Sequence, residues 1–191
     1  MTIINEQRER LFLIMADCAG AIWNRKPTPE YQSRIVRLLW LTCAHESDRF
    51  RARRQYGFPP ANRNIYGAFG IGQTEIVSIR DSIQYVNRRG NPLMGNVIDY
   101  LETYYSAVYL PNGTTNSELL PILELIETPE GDPYAIMLAR LHYLKFRPAI
   151  PESIQHMGEY AKRFYNTEAG KATPENYISA FNATYPFLER R

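Results

Sequence analysis

Apolar residues recur along this chain at three- and four-residue intervals and almost nowhere at alternate positions. That is the periodicity of helices packed on a core. Leu11, Phe12, Met15, Ala19 and Ile22 mark a first helix, capped at Asn5 and ending near Trp23, before Lys26-Pro27. Ile35, Leu38, Leu39, Leu41 and Thr42 cover most of the surface of a second, which should therefore be central to the core. Thr28-Pro29-Glu30, Asp132-Pro133-Tyr134 and Thr173-Pro174-Glu175 each set a capping side chain before a first-turn proline, predicting three helix starts. Thr74 is expected to cap a third helix with Ile76, Val77, Ile79 and Ile83 inward and Arg80, Asp81 and Gln84 outward, broken at Gly90-Asn91-Pro92. A fourth should run from about Leu93 to Tyr109 and stop at Pro111-Asn112-Gly113.

Leu119 to Ile126 form a short apolar segment in which Pro121 suits an early helical turn better than a strand centre. Further helices are expected from Pro133 to about Phe146, Pro151 to Phe164 and Pro174 to Tyr185. Residues 47–72 are the least regular stretch, with turns at Gly57-Phe58-Pro59-Pro60 and Asn62-Arg63-Asn64 and room for a small β-hairpin. No repeat, low-complexity tract or linker divides residues 1–191. The fold class expected is mainly α, a single domain of about eight helices.

One residue at the edge of this pattern carries chemistry. Glu46 follows Thr42 by one turn, so the apolar face of the second helix delivers a carboxyl group to the rim of the core. Partial burial disfavours the carboxylate and raises its pKa, which suits a general acid. The competing reading is a helix-terminal Glu46 that is solvated or paired with Arg49, Arg51, Arg53 or Arg54. Further on, Tyr66-Gly67-Ala68-Phe69-Gly70-Ile71-Gly72-Gln73 spaces three glycines so that backbone can approach a ligand, with Phe69 and Ile71 as anchors and Gln73 free to hydrogen-bond a sugar. No Lys-Ser/Thr follows, so it is not a phosphate loop.

Together, Glu46-Ser47 with Phe50 and Gly67-Ala68-Phe69-Gly70-Ile71-Gly72-Gln73 resemble the Glu-Ser … Gly-x-x-Gly-Leu-Met-Gln signature of lysozyme-like lytic transglycosylases. Asn96-Val97-Ile98-Asp99-Tyr100-Leu101 is similar to the Asn-Ile … Tyr-Leu helix of that family. Three departures stand beside the match: a longer connection between Glu46 and Gln73, Gly72 in place of the common Met or Phe, and no clean Ala-Tyr-Asn-Ala-Gly motif. The resemblance implies a lysozyme-like domain that cleaves the MurNAc-GlcNAc bond of peptidoglycan with Glu46 as sole acid/base. It implies substrate contacts from Ser47, Tyr66, Gly70, Ile71 and Gln73, and a tyrosine that orients the acid. Tyr165, in Tyr165-Asn166-Thr167-Glu168-Ala169-Gly170, and Tyr143 are the two candidates for that tyrosine.

The remaining residues narrow the alternatives. Asp48, Glu75 and Asp81 are the nearby carboxylates that a two-acid glycosidase would need. The 14 tyrosines provide rings on which pyranose faces stack. His45, His142 and His156 lack metal-ligand spacing, so no metal or cofactor is expected. Ser47 has no His/Asp partners for a nucleophilic triad, and Cys18 and Cys43 fall within apolar helical patterns as buried thiols. A formal net charge of +2 is too mild to argue for nucleic acid. No segment is long enough to span a bilayer, and the mixed charge of MTIINEQRERLFLIMADCAG argues against a signal peptide. A wall-cleaving enzyme without its own export signal is expected to reach its substrate from a phage virion or secretion apparatus, whose proteins would then be partners alongside the glycan strands. Two other expectations remain open: a lysozyme-type hydrolase with the same acid, and an inactive virion or assembly scaffold.

Overall fold

The computed structural model describes residues 2–61, 65–112, 115–166 and 170–185, and among these it contains eight α-helices and one two-stranded antiparallel sheet. In chain order they are α1 (Thr2–Ala21), α2 (Pro29–Glu46), β1 (Ala68–Phe69), β2 (Thr74–Glu75), α3 (Ile76–Arg89) and α4 (Leu93–Glu102). They continue with α5 (Asn116–Ile126), α6 (Asp132–Leu144), α7 (Ile154–Ala161) and α8 (Pro174–Thr184). The fold is mainly α with a small hairpin.

Two helices form the centre. Every residue of α6 from Asp132 to Leu141 is buried, and α2 is buried from Ile35 to Ala44 except at Arg37. Helices apolar on all sides belong inside, and the amphipathic ones wrap them. α1 packs on both, α8 on α2, and α3 on α6. Trp40 of α2 donates its indole N–H to Thr184 Oγ1 at 2.9 Å, which fixes the far end of α8 against the middle of α2.

Local chemistry accounts for the helix starts. Thr28 Oγ1 accepts from the Tyr31 N–H at 3.3 Å with Pro29 behind it, Ser153 Oγ from His156 N–H at 3.2 Å, and Thr173 N–H donates to Asn176 Oδ1 at 2.9 Å. α5 starts at a capping box between Thr115 and Glu118, and Pro121 sits inside it.

Several expectations are corrected. Asn5 lies within α1, which begins at Thr2. Asp132 caps nothing: it is fully buried and receives Arg53 Nε at 2.9 Å and Arg10 Nη1 at 3.0 Å, so an ion-pair network takes the carboxylate that a cap would have used. Thr74 belongs to β2 rather than a cap, and α3 starts after Glu75. Val77 of α3 is 65% exposed, because α3 turns Ile79 and Ile83 to the core instead. The fourth helix stops at Glu102. Thr103, Tyr104, Tyr105, Val108 and Tyr109 are weak helix formers, and the phenols of Tyr104 and Tyr105 bond Asp17 and the Glu130 carbonyl elsewhere. The hairpin lies at 68–75, straddling the end of the stretch where it was expected. The turns read at Asn62-Arg63-Asn64 and Gly113 fall outside the described residues.

Candidate active site

α2 ends on Glu46, and the chain then reverses sharply. Ser47 Oγ donates to the Cys43 carbonyl at 2.5 Å and accepts from Phe50 N–H at 2.9 Å. Asp48, Arg49 and Phe50 all adopt left-handed backbone, with φ of 48°, 59° and 68°. Three consecutive non-glycine residues there store strain, which is repaid as Phe50 drops onto Trp40 with ring centroids 4.9 Å apart. The reversal also carries the arginine cluster away from Glu46. Arg51 pairs with Asp48, Arg53 with Asp132 and Arg54 with Glu127. Among the described residues no guanidinium pairs with Glu46.

The glycine-spaced segment is the hairpin that faces it. Ala68 pairs with Glu75 and Phe69 with Thr74, leaving Gly70, Ile71, Gly72 and Gln73 as the loop. Gly70 has φ of +68°, and a Cβ there would stand 2.9 Å from Ala135 Cβ on α6. Gly72 is required for another reason: a Cβ would stand 2.8 Å from the Tyr165 hydroxyl. That phenol donates to the Gly72 carbonyl at 2.7 Å and shares a 3.0 Å hydrogen bond with Thr74 Oγ1.

Between these parts runs an open groove of about 770 Å³. Glu46 lines it together with Gln73, Thr74 and Glu75 of the hairpin. Tyr165 and Asn166, from the wide helical turn Lys162–Asn166 that follows α7, form one wall; Gln55 and Tyr56 also line it. The groove lining contains polar and aromatic groups and, among the described residues, no lysine or arginine.

Glu46 is half-buried. Tyr177 of α8 donates its hydroxyl to Glu46 Oε1 at 2.5 Å, and Asn166 gives the carboxyl group a second hydrogen bond. Burial raises the Glu46 pKa above the ordinary value of 4.5, while the Tyr177 and Asn166 hydrogen bonds pull it down and lose the contest. Its place at the carbonyl end of α2 also disfavours negative charge. Burial, and then Glu46 itself, push the Tyr177 phenol up, so it remains a donor. His45, 4.1 Å from the Tyr177 ring between centroids, has its pKa lowered by burial. His142 is pushed down to about 4, chiefly by burial, and bonds the Phe164 carbonyl through Nε2 at 2.7 Å. It is thus neutral at physiological pH, and that bond assigns its proton to Nε2.

Glu46, Gln73 and Tyr165 thus lie together in the groove; the other expected site residues do not. Tyr165 is bonded to the hairpin and not to Glu46. Tyr143 is 3% exposed, and its hydroxyl meets Thr42 Oγ1 at 2.7 Å, one turn below Glu46. Ser47 is fully buried as the helix-ending hydrogen bonder, and Ile71 is core. Gly70 is closed off against α6, and Tyr66 is 72% exposed and outside the groove lining. The residues Thr167 to Ala169 of the Tyr165-Asn166 motif fall outside the described residues.

Tyr177, the residue that holds the acid, was not among the sequence candidates. Its signal was present but indirect. Thr173-Pro174 places it in the first turn of α8, and only the antiparallel packing of α8 on α2 aligns that turn with Glu46. Of the candidate second carboxylates, Glu75 lines the groove, Asp48 bonds Arg51 and Tyr56, and Asp81 is paired with Lys145 and Arg88. Cys18 and Cys43 are buried free thiols, both pushed up by burial, Cys18 to about 12. Among the described residues no cluster of three His, Cys, Asp or Glu side chains could hold a metal ion, and no helix is long and apolar enough to cross a membrane. No family model, no curated protein and no solved structure matches the chain.

Proposed function

We propose that this protein cleaves the glycosidic bond of peptidoglycan by transglycosylation, with Glu46 acting first as general acid and then as general base. The observation that carries this reading is a half-buried carboxyl group at a groove wall, held by a neutral phenol and not by any of the nearby guanidiniums. A cavity of this size, with rings from Tyr56 and Tyr165 and amides from Gln55, Gln73 and Asn166, suits sugars that stack on one face and hydrogen-bond at the edge.

In the proposed reaction Glu46 gives its proton to the bridging oxygen as the bond from that oxygen to the anomeric carbon breaks. The acetamido oxygen of the same sugar supports the charge that develops. Glu46, now a carboxylate, takes the proton of the C6 hydroxyl as its oxygen closes onto the anomeric carbon. One carbon–oxygen bond is broken, one is made, and the acid is restored. Tyr177 contributes as a positioning residue by holding Oε1.

Glu75 favours a second reading. A carboxylate in the same groove could serve a hydrolase as nucleophile or as base for water. Mass spectrometry of digested sacculi separates the two: anhydro ends support transglycosylation, reducing ends support hydrolysis. In either case Glu46→Gln should release no fragments. If the wild-type protein releases none, both enzymatic readings fail and a binding scaffold in a virion or secretion apparatus is left.

A further inference from the structure

The last turn of α6 borders a second cavity, separate from the groove and much smaller, at about 130 Å³. Arg25, Arg140 and Arg147 line it, and among the described residues no aspartate or glutamate does. Arg140 is 4% exposed. Its Nε donates to the Ile22 carbonyl just beyond the end of α1 at 3.2 Å, and among the described residues that is its only hydrogen bond. The ionisable groups that act on its charge are the Cys18 thiol and the phenols of Tyr31, Tyr160 and Tyr85, none of them a carboxylate.

A guanidinium this deep without a counter-ion is costly unless water or an anion reaches its free nitrogens. The buried Asp132 shows the usual solution, since Arg53 and Arg10 both meet it. At Arg140 no carboxylate answers the charge among the described residues, and the two terminal nitrogens, without a hydrogen-bond partner there, are not fully buried but reach the cavity.

We propose that this cavity binds a small oxyanion group of the phosphate or sulfate type, with Arg140 at its base and Arg25 and Arg147 at its rim. The planar fork of a guanidinium matches two oxygens of such a group, and three of them gather enough charge for a dianion. Tyr31 Oη accepts from Ile150 N–H at 3.3 Å, so its own proton is available to the anion. The cavity has room for one oxyanion. Arg25 and Arg147 are exposed and make no ion pair among the described residues, so the rim can turn inward. The competing account makes Arg140 only a cap for the carbonyl end of α1, and it requires no ligand.

Calorimetric titration with inorganic phosphate against sodium chloride at equal ionic strength decides between them. One saturable site is expected in the wild-type protein, absent in Arg140→Met. In the doubly substituted Arg25→Gln/Arg147→Gln protein, affinity should fall roughly tenfold or more, with the melting curve unchanged because both positions are exposed. Glycerol 3-phosphate distinguishes sources: binding equal to that of phosphate supports an esterified group as the occupant, and rejection supports the free ion. No saturable heat in the wild type, or equal heats in the double variant, overturns the proposal. Should Arg140→Met fail to fold, the double variant decides alone. Glu46→Gln should bind phosphate normally, so this test stands or falls apart from the glycan reading.

Discussion

At Glu46 three influences compete. Burial and the carbonyl end of α2 favour the neutral acid; the Tyr177 and Asn166 hydrogen bonds favour the anion; burial prevails. The consequence for stability has a definite sign. A carboxyl group whose folded pKa is raised contributes most at low pH, and that contribution is lost as pH rises from the ordinary glutamate value through the folded one. Glu46→Gln keeps the acceptor for Tyr177 and cannot ionise, so its melting temperature should gain on the wild type across that window and hold the gain above it. A gain that shrinks with rising pH would contradict the burial argument. Tyr177→Phe removes a hydrogen bond that pulls the pKa down, so the alkaline limb of the activity profile should move to higher pH. Loss of positioning should at the same time lower kcat on the order of tenfold with KM little changed.

At the scale of elements, the reversal after α2 and the hairpin opposite it define the groove. Arg49 holds φ of 59° with an exposed side chain, so glycine relieves its strain. Arg49→Gly should stabilise the protein by about 0.5 kcal/mol in urea unfolding, the relief less the added unfolded-state entropy. Gly72→Ala should cost about 1–3 kcal/mol by forcing Tyr165 from the hairpin. These two elements also mark how far the sequence could be read. Thr28-Pro29 and Thr173-Pro174 announced α2 and α8 because capping is local chemistry. The Glu46 position followed from helical spacing alone. Asp132 looked like a third cap, and only the fold reveals Arg10 and Arg53 around it. Thr74 misled in the same way, because its hydroxyl serves Tyr165 from 91 residues away. Tyr177 was hidden because its role depends on the register of one helix against another.

Over the whole molecule that register is set by α8 running antiparallel to α2, with Trp40 bonded to Thr184 and Glu46 to Tyr177. Asp132 provides a second tie, joining α1 through Arg10 and the segment after Glu46 through Arg53 to the start of α6. Asp132→Ala leaves the nearly buried Arg53 unpaired and should cost about 3 kcal/mol, read as a lower urea midpoint. The site is therefore assembled by the fold as a whole, yet the proposed chemistry rests on one proton. Carbon-13 NMR of the Glu46 carboxyl, followed against pH with Glu46→Gln for assignment, observes that proton directly. A midpoint above the ordinary glutamate value of 4.5 is the expected result. A midpoint at or below it would mean that the fold does not favour the neutral acid, and Glu46 as proton donor would lose its physical basis.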